Sequence, residues 1–144
     1  MRAVPPSVFD DFELPPASKL LGWTLRDVDV AKGTIEIGFT ADERFVNPAG
    51  NVQGGFLAAM LDDTQGPALF AMTGGAVYAP TIDFTTSFIR PARAGRFVGK
   101  GRVISLGKTI AFTEAELFDE QGNLIARATF SARAMTGDMA KAPR

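Results

Sequence analysis

Apolar and polar residues alternate along most of this chain. Ile35, Ile37 and Phe39 share one face of residues 34–39, residues 24–30 alternate in the same way, and Lys32-Gly33 between them suits a tight turn, so a first hairpin is predicted. Further on, Tyr78, Pro80, Ile82, Phe84, Thr86 and Phe88 alternate with Ala79, Thr81, Asp83, Thr85 and Ser87, which predicts one strand over 78–88. Strands over 97–105, 109–118 and 124–134 follow, with turns at Leu106-Gly107-Lys108 and at 119–122. Only residues 52–72 break this rhythm: Phe56, Leu57, Met60, Leu61, Thr64, Ala68 and Leu69 recur at spacings of three and four, the mark of a helix. Gly66-Pro67 in its middle predicts a kink or an early end, because an interior proline removes a backbone bond and crowds the preceding turn. Gly74-Gly75 closes it.

Two strands, one long helix and four antiparallel strands make an α+β chain. One helix covers only one face of so long a sheet, so the sheet must curl around it or be continued and covered by another chain. Residues 1–19, with Pro5, Pro6, Pro15 and Pro16 among acidic Asp10, Asp11 and Glu13, read as an irregular arm with a short amphipathic piece at 8–12, lying against the domain. The domain itself is expected over 20–135, and residues 136–144 as a disordered tail.

At 144 residues and 46% apolar composition, one core-forming domain is expected. Two zeros in the composition restrict the chemistry more: there is no cysteine and no histidine. Disulfides, zinc ribbons, thiolate nucleophiles, Ser-His-Asp relays and HExxH sites are excluded, and no cofactor is expected. A net charge of −1 and no basic run argue against nucleic acid, and no apolar stretch approaches the roughly 20 residues that span a bilayer, so a cytoplasmic location is the expectation. An enzyme built from this chain must work with carboxylates, amides, hydroxyls and backbone groups.

Such groups gather in one segment. Asn47-Pro48-Ala49-Gly50-Asn51-Val52-Gln53-Gly54-Gly55 leads into the helix, and Asp62-Asp63 lie mid-helix among small and apolar residues. The paired glycines either let backbone N–H groups at the helix start receive a developing oxyanion or merely allow close packing on a strand. Adjacent helix positions differ by about 100°, so with the helix wrapped by sheet at most one of the two aspartates easily faces water, and a partly dry carboxylate can serve as general base or nucleophile. Eight residues of helix separate Gly54 from Asp62 by about 12 Å, too far for one carbonyl. Two antiparallel copies of the helix would bring Gly54 of one beside Asp62 of the other, giving a two-fold dimer with composite sites.

Thr81 and Asp83 are candidates for orienting a water, whereas Thr85 and Ser87 suit a solvent face. Arg90, Arg93, Arg96, Lys100, Arg102 and Lys108 are either solvated surface or a cluster that steers a phosphate-bearing ligand. Phe56, Phe70, Tyr78, Phe84 and Phe88 are expected mostly in the core, with the lining of a ligand tunnel as the other possibility.

Over residues 20–134 these motifs resemble the PaaI-type (phenylacetate-pathway) hotdog-fold acyl-CoA thioesterases. The resemblance rests on Asn47-x-x-Gly50-x-x-Gln53-Gly54-Gly55 before Asp62, on Thr81-Ile82-Asp83-Phe84, on Arg90-Pro91-Ala92 before Gly95, and on Gly107-Lys108-Thr109-Ile110-Ala111-Phe112. It implies a hotdog fold, a long central helix wrapped by a curved antiparallel sheet of about five to six strands, as a homodimer or a dimer of dimers. It also implies hydrolysis of a medium-chain or aromatic acyl-CoA at the dimer interface. The Gly54 N–H would polarise the thioester carbonyl, Asp62 of the facing subunit would attack or activate water, Thr81 would place that water, and Asn47 would orient the catalytic groups. Gly55, Asp83, Arg90, Arg93 and Lys108 are the candidate substrate contacts. The family usually has His where Gln53 stands; Gln keeps an N–H donor but cannot protonate. The alternative reading is a binding or regulatory module that holds acyl-CoA without cleaving it.

Overall fold

The computed structural model describes Val4 and residues 6–136. Residues 137–144 of the expected tail, and residues 1–3 and 5 of the arm, lie outside the described residues. Eight strands and two α-helices occur among the described residues: α1 (Pro16–Leu20), β1 (Thr24–Asp29), β2 (Thr34–Ala41), α2 (Gly54–Met72), β3 (Val77–Tyr78), β4 (Thr81–Phe88), β5 (Gly95–Leu106), β6 (Ile110–Asp119), β7 (Leu124–Arg133) and β8 (Met135–Thr136). Six of the strands form one antiparallel sheet in the order β1-β2-β5-β6-β7-β4. This is the expected helix-and-sheet architecture, and α2 packs against all six of those strands on one face.

The inward positions of each strand supply the core. Ile37, Phe39, Phe97, Leu117 and Ile125 meet Met60, Leu61 and Leu69 of α2, all with 2% exposure or less. Each such side chain stabilises the fold by about 1.5–3 kcal/mol through removal from water. On β5 the inward positions at the centre are Gly99 and Gly101, and both sit directly against Thr64 of the helix. The absence of side chains there lets the helix backbone approach the sheet.

Three local expectations change. First, α2 neither ends nor breaks at Pro67. A proline at that position leaves the carbonyl of Asp63, four residues earlier, without its intrahelical donor, and the Trp23 indole N–H donates to that carbonyl at 3.1 Å. Second, the strand expected over 78–88 is two strands. β3 pairs with β8, β4 begins at Thr81, and Pro80 lies between them without an N–H to offer. Thr136, the expected start of the tail, is paired with Val77. Third, the arm has regular structure: a 3-10 turn at Val8–Asp11 closed by a Ser7 capping box, then α1 with proline at its start. It packs on the domain through Phe9, whose ring lies 5.3 Å from Trp23 and 5.9 Å from Phe70.

β4 ends the sheet, and its outer edge pairs with no strand among the described residues. Ile82, Phe84, Phe88 and Ile89 on or beside it are 58%, 40%, 54% and 47% exposed. A long, apolar, open edge of this kind invites pairing with another chain.

Candidate active site

The loop before α2 is folded by its own polar groups. Asn47 Oδ1 accepts the N–H of Ala49 at 3.0 Å and of Asn51 at 3.1 Å, Gly50 takes a φ of 84°, and Val46 and Val52 form an isolated bridge across the loop. Within this chain Asn47 thus braces the loop that delivers the helix. The Gln53 N–H donates to the Phe45 carbonyl at 2.7 Å, while its exposed side chain makes no capping bond. The first helical bonds are those from the Phe56 and Leu57 N–H groups to the Gln53 carbonyl. Gly54 and Gly55 are left with N–H groups that have no intrahelical acceptor, the arrangement an oxyanion needs. The Phe88 ring, at the far end of β4, lies where a Gly54 side chain would go, 3.2 Å from an added Cβ. Around Gly55 the space is open.

Asp62, two turns on, faces the other end of β4. Its Oδ1 accepts the Thr81 hydroxyl at 2.7 Å and the Gln65 side-chain amide at 3.1 Å, and the same amide lies 3.2 Å from Thr81 Oγ1. Gln65 is buried, and its carbonyl accepts the hydroxyl of buried Thr113 on β6 at 2.7 Å. Asp62 Oδ2 accepts no hydrogen bond from the described residues. Beside it opens a cleft of about 390 Å³, with Asp62, Asp63, Gln65 and Thr81 as polar members and Phe9, Leu21, Ala59, Pro67, Phe70, Tyr78 and Pro80 among the apolar ones. The arm therefore forms part of the wall. The Asp62–Thr81 pair stands at this end of the strand, and Gly54 of the same chain is at the opposite end.

Asp63 lines the same cleft but is tied to the arm, accepting the Ser18 hydroxyl at 2.7 Å. Burial pushes its carboxyl up from 3.8 to about 6, against the Ser18 bond, and the neighbouring Asp62 charge adds to the rise. The folded state thus holds this proton more tightly than the unfolded chain does. Ionising Asp63 costs nothing below pH 3.8, costs progressively more between 3.8 and 6, and a constant amount above. At about 1.4 kcal/mol per pH unit the full cost is about 3 kcal/mol. Asp63→Asn keeps an acceptor for Ser18 and loses the charge. Denaturant titrations should show it more stable than wild type by about 2–3 kcal/mol at pH 8 and equal to it at pH 4.

Residues 49–126 match the family model of the thioesterase superfamily. The chain belongs to that superfamily. A protein of Thermoplasma acidophilum that carries an esterase name is 30% identical over 99 residues, which cover 68% of this chain and 74% of that one. The 1,4-dihydroxy-2-naphthoyl-CoA hydrolase of Escherichia coli is 26% identical over 100 residues, 69% of this chain and 74% of its own. A solved structure of a phenylacetic acid degradation-related protein from Ralstonia eutropha superposes with a TM-score of 0.82 at 33% identity, covering 88% of this chain and 95% of that one. The hotdog fold and the PaaI-type resemblance are those of this thioesterase, and membership makes it a hydrolase.

Other expected site residues of the thioesterase lie elsewhere. A bulge between Thr81 and Asp83 puts them on opposite faces of β4: Thr81 pairs with inward Ala132, and Asp83 with outward Ser131. Asp83 accepts the Ser131 hydroxyl at 2.9 Å on the outer face and does not reach the Asp62 cleft. The cation cluster is divided too. Arg90 donates to Asn123 at 3.4 Å and Arg93 to the Gly50 carbonyl at 3.5 Å, near the start of α2. Lys108 sits in the turn at the other end of the β5–β6 ladder, roughly 30 Å away along the strands. Arg102 and Lys100, between them, pair with Glu114 and Glu36 on the exposed outer face. None of the five aromatics expected mostly in the core is fully buried: Phe56 stacks on Phe45, Phe84 on Phe130, and Phe70 and Tyr78 line the cleft. Gln65 and Thr113 escaped the reading of the sequence, because a glutamine on a helix and a threonine in a strand carry no signal of their own until the fold joins them.

Proposed function

We propose that this thioesterase hydrolyses acyl-CoA thioesters with a medium-chain or aromatic acyl group, at two composite sites between antiparallel copies of α2 in a homodimer. The carrying observation is the placement of the two halves of the chemistry. Free N–H groups at Gly54-Gly55 adjoin Phe88 at one end of β4, and the Asp62–Thr81 pair stands at the other end. A second copy added to the open β4 edge about a two-fold axis would exchange those ends, setting Gly54 of one protomer beside Asp62 of its partner. The coenzyme A half of the substrate is supported by the Escherichia coli relative, whose name specifies a CoA thioester. Arg93, next to the loop that begins α2, is well placed for its phosphates. The cleft beside Asp62, about 390 Å³ with aromatic walls, suits a ring or a medium chain, since an apolar cavity of about 150 Å³ already holds benzene.

In the reaction the Asp62 carboxylate takes a proton from water held by Thr81, and the water oxygen bonds to the thioester carbon. The Gly54 N–H receives the developing oxyanion. When the tetrahedral intermediate collapses, the C–S bond breaks and the proton on Asp62 passes to the CoA sulfur, leaving free acid and CoA. Attack by Asp62 itself, through an acyl-enzyme anhydride that water then opens, uses the same groups.

Subunit complementation tests the composite site. Asp62→Asn and Gly54→Val should each be inactive alone. Co-expressed, they should recover about a quarter of wild-type activity, because half of randomly paired dimers are mixed and each of these holds one intact site. Recovery of nothing from mixed dimers verified by mass, or an active monomer in sedimentation, would contradict it.

A further inference from the structure

We propose that Gln65 and Thr113 are positioning residues that fix the rotamer of Asp62 and leave Oδ2 as its single reacting oxygen, an inference that rests on Asp62 being the reacting carboxylate. Gln65 is 1% exposed and Thr113 0%, so every polar atom they carry needs a partner inside the protein. A carboxylate only accepts, so the end of the Gln65 amide facing Asp62 is its NH2 group, and the carbonyl end faces Thr113. The Thr113 hydroxyl donates to that carbonyl at 2.7 Å and so prevents the amide from turning over. Turned, it would present an oxygen to the Asp62 carboxylate.

The other end of the amide closes a triangle. Gln65 Nε2 reaches Asp62 Oδ1 at 3.1 Å and Thr81 Oγ1 at 3.2 Å, and Thr81 in turn donates to Oδ1 at 2.7 Å. Two donors fill the two lone pairs of Oδ1, and Oδ2 is left toward the cleft. The Thr81 hydroxyl hydrogen is committed to Asp62, so its remaining lone pair can only accept. A leucine or methionine at 65 would fill the same space between α2 and β6 without any of these constraints. The buried amide is therefore placed for what it orients rather than for packing. A carboxylate free to rotate would offer water a range of geometries, and misplacement by about 1 Å costs up to about 100-fold in rate.

Four variants and two readouts test this in the full-length dimer. Gln65→Met and Thr113→Val, near-isosteric replacements without the donors, should lower kcat for acyl-CoA hydrolysis by about 10- to 100-fold, with KM within about twofold of wild type. Thr113→Ser, which restores the hydroxyl, should return kcat to near wild type. In an Asp62→Asn background, Gln65→Met should add no further loss, since the residue acts only through Asp62. The second readout needs no catalysis: the chain has three glutamines, and Gln53 and Gln121 are exposed, so the Gln65 side-chain amide should be the one slowly exchanging glutamine NH2 pair in a proton–nitrogen spectrum. Thr113→Val should speed that exchange. Wild-type kcat in Gln65→Met and Thr113→Val, while Asp62→Asn is inactive, overturns the positioning role and spares the thioesterase reading. If the wild-type protein hydrolyses nothing, the thioesterase reading fails, and amide exchange alone judges the network: fast exchange in wild type, or no change in Thr113→Val, overturns it.

Discussion

Asp62→Asn should abolish most of the thioester hydrolysis, with kcat lower by about 100- to 10,000-fold and KM little changed, the size expected for removing a general base. Asparagine can still accept the Thr81 hydroxyl, so the fold around the cleft is kept. Alanine is the less informative replacement, because it takes one acceptor from the buried Gln65 amide and the acceptor of the Thr81 hydroxyl, and so mixes a stability defect into the kinetics. Steady-state rates of thiol release alongside thermal melts separate the two effects. An Asp62→Asn protein within tenfold of the wild-type kcat would remove Asp62 from the chemistry.

Gly99→Val should leave little folded protein, a loss of more than about 4 kcal/mol from overpacking. A Cβ on Gly99 would overlap Thr64 Oγ1 and come within 3.1 Å of the Phe39 ring, and one on Gly101 would lie 3.0 Å from Thr64 Cγ2 and 3.1 Å from the Thr64 carbonyl oxygen. The helix could escape only by moving off the sheet and opening the core around Met60 and Leu61. Intrinsic preference points the other way, since valine favours strands and glycine does not, so the sign of the effect decides between packing and propensity. Gly99→Ala with Thr64→Ala should recover much of what Gly99→Ala alone loses. Denaturant midpoints of the two singles and the double measure that coupling.

Most of the architecture was legible because alternation of period two and the single stretch of helical spacing are dictated by which face is buried. The failures have local causes that periodicity does not carry. Alternation counted Thr81 and Asp83 as one face, and the bulge at Ile82 separated them. Pro67 signalled a break, and the bond to the Asp63 carbonyl from Trp23, 40 residues before Asp63 in sequence, removed the reason for one. The cation run looked like a cluster because it is contiguous in sequence, whereas a β-hairpin carries its strand ends and its turn to opposite ends of the sheet. At the candidate site, Gly54 and Asp62 stood out as odd residue types for their positions, and Thr81 only as a member of a polar stripe. Gln65 and Thr113 gain their meaning only from a contact that spans 48 residues of sequence.

The most direct measurement is release of free CoA thiol from a panel of aromatic and C6–C12 acyl-CoAs by the wild-type protein. Continuous turnover of at least one panel member, abolished by Asp62→Asn, is the expected result. Saturable acyl-CoA binding by calorimetry with no thiol released over hours would contradict it, and would leave a protein that holds the thioester without cleaving it.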